Sequence, residues 1–176
     1  MLALAVLLAA ACTPASKTAP VSDTSPPPEI TAAAPAAKPT PAARPERLLV
    51  EINTARARHG LEPVRRDARL AAAARRQAAS MAEGDFFDHR APDGSGLSAR
   101  VVGAGYAYSH VAENLAGGHE RARDVVATWL LSDGHRRNLL NPEVVDAGIG
   151  YIDAPSDGGR VRYRHYWVAI FGRGPR

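Results

Sequence analysis

The chain has 176 residues, and its 22 basic and 18 acidic side chains give a formal net charge of +4 and an isoelectric point near 9.6. This length suits one domain of ordinary size, and a single cysteine excludes an intramolecular disulfide. The sequence has no basic–aromatic interleaving and no glycine-rich phosphate loop, which argues against nucleic acid or a nucleotide as a partner.

Residues 1–12 have the pattern of a signal peptide. An apolar run ends at Cys12 and is shorter than the roughly 20 residues that a membrane-spanning helix needs. Small residues directly before the cysteine predict lipoprotein processing, with acylated Cys12 as the membrane anchor. The alternative is an ordinary signal peptide with an incidental Cys12. Both interpretations predict export, as a membrane-anchored lipoprotein or as a secreted or periplasmic protein.

Residues 13–45 are rich in proline, alanine, serine and threonine, which predicts a disordered linker. Acidic and basic residues balance up to Glu46, so the whole net charge falls on the domain predicted for residues 46–176. A basic domain favours anionic partners such as phospholipid, lipopolysaccharide or cell-wall polymers. The alternative explanation is an arginine-rich proteome, since arginine is used almost to the exclusion of lysine.

The domain begins with helical patterns and ends with strand patterns. Apolar residues at spacings of three and four, with capping residues at the ends, predict two helices, and turn residues then predict a loop. Later segments rich in aromatic and β-branched residues, separated by a turn signal, predict an antiparallel hairpin. The predicted order is helices at 45–58 and 67–82, a loop at 85–96, a helical turn at 97–102, an extended segment at 106–116, a third main helix at 120–132, and strands at 144–152 and 160–171.

The last predicted strand carries apolar side chains on both faces. Trp167 and Ala169 lie on one face, and Val168 and Ile170 lie on the other. This pattern fits a sheet that is covered by helices on both sides. The predicted fold class is therefore α+β, a three-layer α-β-α sandwich with a central, mainly antiparallel sheet.

Polar residues on three separate segments are the candidates for chemistry. His89 lies in the predicted loop, Glu113 and Asn114 lie near the end of the extended segment, and His135 follows the third main helix. Two imidazoles and a carboxylate that meet in a cleft could hold a divalent metal or carry out acid–base chemistry.

Four segments, in this order and spacing, resemble the bacterial branch of the CAP superfamily. That family is also called SCP-like and includes cysteine-rich secretory proteins, antigen 5 and pathogenesis-related proteins. The resemblance covers roughly residues 47–173 and implies the same α-β-α sandwich. The segments are 86–94 around His89, 112–118 around Glu113, 129–142 with an intact Ser-x-Gly-His-Arg-x-Asn-Leu-Leu run, and 166–172 as the last strand.

The resemblance also implies a cleft, because the family has a His-Glu-Glu-His tetrad. His89, Glu113 and His135 match three of its members, whereas the fourth position is Ser132 here. The cleft is thus expected to contain these four residues and Asn114. His89 and His135 are the candidate ligands for Zn²⁺ or another divalent cation, with Glu113 as a third ligand or as a hydrogen-bond partner of a ligand.

A polar scaffold without a ligand is the alternative to this site. In that case Glu113 would bind backbone N–H groups, and His135 would cap the C-terminal end of the third main helix.

Three functions compete. The first is an exported, monomeric binding or interaction module at the cell envelope, with envelope lipid, a cell-wall component or a protein as its ligand. The second is a metal-dependent, peptidase-like hydrolase in which Glu113 is the general base. The third is a lipid or sterol carrier, as some relatives are. The absence of Gly-x-Ser-x-Gly and His-Glu-x-x-His motifs and the loss of one tetrad carboxylate favour the binding module.

Overall fold

The computed structural model describes residues 40–155 and 158–175. The predicted signal peptide with Cys12, most of the predicted linker and part of the turn predicted at 156–159 lie outside these ranges. None of the described helices is long and apolar enough to cross a membrane. A 3-10 turn at Pro41–Ala43 is followed by α1 (Arg44–Arg58), β1 (Arg65–Arg66), α2 (Ala68–Glu83), α3 (Leu97–Gly103), β2 (His110–Gly117), α4 (Ala122–Leu131), α5 (Asp133–Leu139), β3 (Asp146–Asp153) and β4 (His165–Arg173).

Helix α1 starts earlier than the sequence analysis placed it. Residues 41–44 lie in the predicted linker, but they form the 3-10 turn and the first residue of the helix. At the other end, the predicted glycine stop is confirmed. Gly60 has a φ of +69°, and its N–H and that of Leu61 donate to the carbonyl groups of Ala57 and Arg56. This pair of bonds is the Schellman motif, which satisfies the last carbonyl groups of the helix.

The predicted cap of α2 is also confirmed. The carboxylate of Asp67 accepts hydrogen bonds from the N–H groups of Arg69 at 2.8 Å and Leu70 at 3.1 Å. These bonds satisfy two of the donors that the first turn of a helix leaves without an intrahelical partner.

Helix α2 lies unusually close to strand β3. Its buried face carries the small side chains of Ala74 and Ala78, and the facing strand positions are Gly148 and Gly150. A Cβ atom at Gly150 would lie 2.3 Å from the carbonyl carbon of Ala74. The helix backbone therefore rests directly on the backbone of the strand.

The four described strands form one sheet in the order β1-β3-β4-β2. The predicted hairpin is confirmed as the antiparallel pair β3–β4, although β4 begins at His165 rather than at residue 160. Strand β2 pairs antiparallel with the other side of β4 and forms one edge of the sheet. Strand β1 is a two-residue parallel strand beside β3 that the sequence analysis did not predict.

Two hydrophobic cores lie on opposite faces of the sheet, which confirms the predicted sandwich. Trp167 and Ala169 belong to the core shared with α1 and α4, whereas Val168 and Ile170 belong to the core shared with α2. The odd and even side chains of β4 thus serve different layers, as the alternation predicted.

The predicted third main helix at 120–132 is confirmed as α4, and a helix that was not predicted, α5, follows it. Helix α4 ends at Leu131, and Ser132 has an extended backbone with φ −103° and ψ 120°. Helix α5 then starts at Asp133, so His135 lies within it. The suggestion that His135 caps the end of the preceding helix is therefore wrong.

Candidate functional site

The carboxylate of Glu113 lies at the centre of the candidate site. Glu113 is in the edge strand β2, and only 2% of its side chain is exposed. Its Oε1 lies 2.9 Å from Nδ1 of His89. Nη2 of Arg100, on α3, donates to Oε1 at 3.0 Å and to Oε2 at 2.9 Å. The structure therefore places His89 in contact with Glu113 and adds a cation, Arg100, that the sequence pattern did not reveal.

Arg100 ties three segments together around this carboxylate. Its Nη1 donates to the carbonyl oxygen of His89 at 3.0 Å, and its own carbonyl oxygen accepts a bond from Nη2 of Arg76 on α2. Its side chain is only 9% exposed. The guanidinium group thus neutralises Glu113 and at the same time fixes the backbone of the loop that carries His89.

His89 presents its ring to solvent from a restrained loop. Gln77, which is fully buried on α2, donates from Nε2 to the carbonyl oxygen of Asp88 at 2.6 Å. This bond fixes the backbone of the residue that precedes His89. The His89 side chain is 56% exposed, and its Nε2 makes no hydrogen bond within the described residues. The hydrogen bond to Glu113 raises the pKa of His89 above its usual value.

His135 reaches the same region from the opposite layer. The side chain of Asn114, which is fully buried, donates to the carbonyl oxygen of His135 at 2.9 Å. Nδ2 of Asn138 donates to Oδ1 of Asn114 at 2.9 Å and to the carbonyl oxygen of Glu113 at 3.3 Å. These amides attach α5 to β2. Asn114 therefore supports the site by holding a helix.

The two imidazoles have opposite electrostatic environments. Nδ1 of His135 is buried without a hydrogen-bond partner among the described residues, and its ring lies 6.4 Å from that of Trp129. Burial lowers the pKa of His135, and the positive charge of His89 lowers it further. Adjacent residues of β2 contact the two histidines, since Glu113 bonds the His89 ring and Asn114 bonds the carbonyl oxygen of His135, and no hydrogen bond within the described residues joins the two rings.

Ser132 lies at the junction of α4 and α5, three residues before His135. It is partly buried, and its hydroxyl group makes no hydrogen bond within the part of the chain that the structure describes.

The polar groups do not fit a metal site with three protein ligands. Among the described residues, no three His, Cys, Asp or Glu side chains are grouped so that they could hold a metal ion. Both oxygens of Glu113 accept hydrogen bonds from Arg100, and one of them also bonds to His89. Metal binding by His89 and His135 alone stays a prediction.

Sequence comparison identifies the family. The profile of the cysteine-rich secretory protein family, CAP, matches residues 49–171. The chain belongs to the CAP family. The CAP domain is 34% identical over 112 residues to an uncharacterized protein, YkwD, of Bacillus subtilis, and the match covers 63% of this chain and 44% of that protein. It is 29% identical over 105 residues to an uncharacterized membrane protein, YlbC, of the same organism, covering 60% and 30% of the two chains. The chain thus spans less than half the length of these relatives.

Solved structures show the same fold. An extracellular protein of Bacillus anthracis that contains an SCP domain superposes with a TM-score of 0.66 at 25% identity, covering 75% of this chain and 41% of that one. An outer surface protein of Borrelia burgdorferi superposes with a TM-score of 0.66 at 22% identity, covering 74% and 92%. A cysteine-rich secretory protein of Staphylococcus aureus superposes with a TM-score of 0.57 at 22% identity, covering 76% and 39%.

Proposed function

We propose that this protein is an exported CAP-domain binding module of the cell envelope, and that the cleft between His89 and His135 binds its ligand. The signal-peptide pattern of residues 1–12 supports export, and acylation of Cys12 would hold the module at a membrane. The names of the similar structures agree, since one is an extracellular protein and another an outer surface protein.

The pairing of a buried Glu113 with an exposed His89 carries this proposal. A buried ion pair contributes little to stability, because desolvation of the charges offsets most of their attraction. Here the pair fixes Nδ1 of His89 and leaves Nε2 towards solvent. This arrangement fixes the direction in which Nε2 can form a hydrogen bond to a ligand. An ion pair with a purely structural role does not need a ring nitrogen that faces solvent.

The opposite pKa shifts of the two histidines indicate the chemistry of the ligand. The raised pKa of His89 favours an imidazolium that donates a hydrogen bond, and the lowered pKa of His135 favours a neutral ring that can also accept one. A ligand with acceptors and donors close together, such as the amide and hydroxyl groups of a cell-wall glycopeptide, matches both rings.

Calorimetric titration of the full chain with soluble cell-wall glycopeptide tests the proposal. We expect binding in the wild type and its loss in His89→Ala and in His135→Ala. His59→Ala is the matched control, because His59 is exposed at the end of α1, remote in sequence from every cleft segment. Unchanged binding in both cleft variants would reject the site. Zinc titrated into the same variants tests the two-histidine metal prediction separately.

Hydrolysis is a second candidate, and the same Glu113–His89 pair favours it. Above the raised pKa of His89 its ring is neutral, and a carboxylate that holds Nδ1–H then leaves Nε2 able to take a proton from water, the role of a general base. In that case His89 is the base, and Glu113 only orients it. Turnover of a cell-wall glycopeptide that is lost in His89→Ala and falls in Glu113→Gln would favour this function over binding alone.

A further inference from the structure

A basic groove lies beside α5, and none of the cleft side chains His89, Glu113 and His135 lines it. Its volume is about 610 Å³, within the range of pockets that hold small ligands. The groove is lined by Asp133, Arg136, Arg137, Leu140, Asn141 and Pro142.

The two arginines of the groove have no acidic partner. Arg136 and Arg137 are exposed, and within the described residues neither side chain makes a hydrogen bond or lies within 4.0 Å of a carboxylate. Some of the other exposed arginines in the described residues do form ion pairs, as Arg164 does with Asp153 at 2.8 Å. The groove thus holds two adjacent guanidinium groups whose donors are available to a ligand.

A third cation lies beneath the groove. Arg56 is 1% exposed, and its Nη1 donates to the carbonyl oxygens of Leu139 at 2.8 Å and Asn141 at 3.0 Å. Its Nε donates to the carbonyl oxygen of Glu62 at 2.9 Å. No carboxylate of the described residues lies within ion-pair distance, so carbonyl dipoles alone solvate this charge. An anion in the groove would complement it through the low-dielectric interior.

The charge balance of the groove therefore favours an anion. Arg56, Arg136 and Arg137 oppose a single lining carboxylate, that of Asp133. The planar guanidinium group binds phosphate with two parallel hydrogen bonds. Leu140 and Pro142 add apolar surface that can pack against the carbon atoms between phosphates.

We propose that this groove binds a phosphodiester unit of an anionic envelope polymer. The inference rests on the proposed location of the protein at the cell envelope, but it uses a surface other than the histidine cleft. The apolar surface of Leu140 and Pro142 favours a polymer segment over the headgroup layer of a bilayer, because it can pack against the carbon atoms between the phosphates of a polymer.

Calorimetry of the full chain with a synthetic glycerol phosphate oligomer tests this proposal. We expect binding that weakens steeply between about 50 mM and about 200 mM salt. Removing both guanidinium groups in R136A/R137A should weaken binding by about tenfold or more, since each charged hydrogen bond contributes substantially. R136K/R137K keeps the charge but loses the planar fork, and an intermediate affinity is expected.

The matched control is R66A/R75A, which removes the same net charge at two exposed arginines without an ion pair in the described residues. Its affinity should stay within about twofold of the wild type at the same salt. An equal loss in this control would overturn the site in favour of non-specific attraction. Binding to phosphatidylglycerol vesicles without binding to the oligomer would overturn the polymer in favour of a membrane.

The two proposals can fail independently. His135→Ala should leave oligomer binding unchanged, and R136A/R137A should leave glycopeptide binding in the cleft unchanged. Loss of oligomer binding in His135→Ala would show that the groove is not a separate site. R136A/R137A should unfold at the same midpoint temperature as the wild type, because the two side chains are exposed and make no hydrogen bonds in the described structure. This measurement is the control that the variant is folded.

Discussion

Replacing Arg100 with methionine should deprive the buried carboxylate of Glu113 of its guanidinium partner. The wild-type guanidinium makes two hydrogen bonds to Glu113 and one to the carbonyl oxygen of His89. The side chains of Arg100 and Glu113 are 9% and 2% exposed, so water cannot replace these bonds. Loss of one partner of such a pair costs about 3–5 kcal/mol. We therefore expect Arg100→Met to lower the free energy of unfolding by that amount.

A double-mutant cycle separates the pair from the packing around it. Arg100→Met, Glu113→Gln and the double variant are unfolded in urea, and the free energies are obtained by linear extrapolation. The double variant should be less destabilised than the sum of the single variants by about 0.5–3 kcal/mol, because it leaves no buried charge unpaired. A loss below about 1 kcal/mol in Arg100→Met, or additive losses in the cycle, would refute the reasoning.

The same variant should change how stability depends on pH. In Arg100→Met, the imidazolium of His89 is the remaining hydrogen-bonded cation at Glu113. The pKa of His89 is raised by folding, so its contribution is fully present below the unfolded-state value of about 6.5 and is lost as pH rises through the folded-state value. Stability of Arg100→Met should therefore fall more between about pH 6 and about pH 8 than that of the wild type. Parallel curves would contradict this account.

Two further predictions concern the site and the core. Glu113→Gln should lower the pKa of His89 towards its ordinary value, as measured by NMR titration of the ring protons. The control Asp124→Asn on α4 should leave the pKa of His89 unchanged. An unshifted pKa in Glu113→Gln would mean that the hydrogen bond does not stabilise the imidazolium. Gly150→Ala should lower the free energy of unfolding by about 3 kcal/mol or more, because the new Cβ atom would collide with the backbone of α2. Gly134→Ala places its Cβ atom where no neighbour lies within 4 Å, so this control should be neutral or slightly stabilising. Equal effects of the two substitutions would contradict the close packing of α2 on β3.

Much of the fold could be predicted because it depends on local patterns. The cap at Asp67 and the glycine at position 60 act within a few residues of the helix ends that they define. The alternation of Trp167, Val168 and their neighbours along one strand revealed a sheet covered on both faces. Each of these signals is carried by residues close together in the sequence.

The features that the sequence did not reveal depend on distant contacts. Strand β1 has two residues, too few to show a period, and it exists because the N–H of Arg65 donates to the carbonyl oxygen of Val145. Helix α5 has seven residues, and it is attached to β2 by the hydrogen bond from Asn138 to the carbonyl oxygen of Glu113.

The candidate site could be predicted only in part for the same reason. His89 and Glu113 were identified from their segments, and the structure joins them directly. Arg100 could not be distinguished in a chain that uses arginine so widely, because its role depends on the fold bringing α3 against β2. The sequence therefore supplied the polar groups but not the cation that decides what Glu113 can do.

The position of the cleft follows from β2 being an edge strand. Successive side chains of a strand point to opposite faces, so Glu113 meets Arg100 and His89 in one helical layer while Asn114 holds His135 in the other. If β2 lay in the middle of the sheet, a paired strand on each side of it would separate the two helical layers. At the edge, side chains of α4 and α5 instead bond the outer carbonyl groups of Leu115 and Glu113 on β2, which blocks pairing with another strand. The contacts that protect the edge thus also attach the helix that carries His135 to the strand that carries Glu113, the partner of His89.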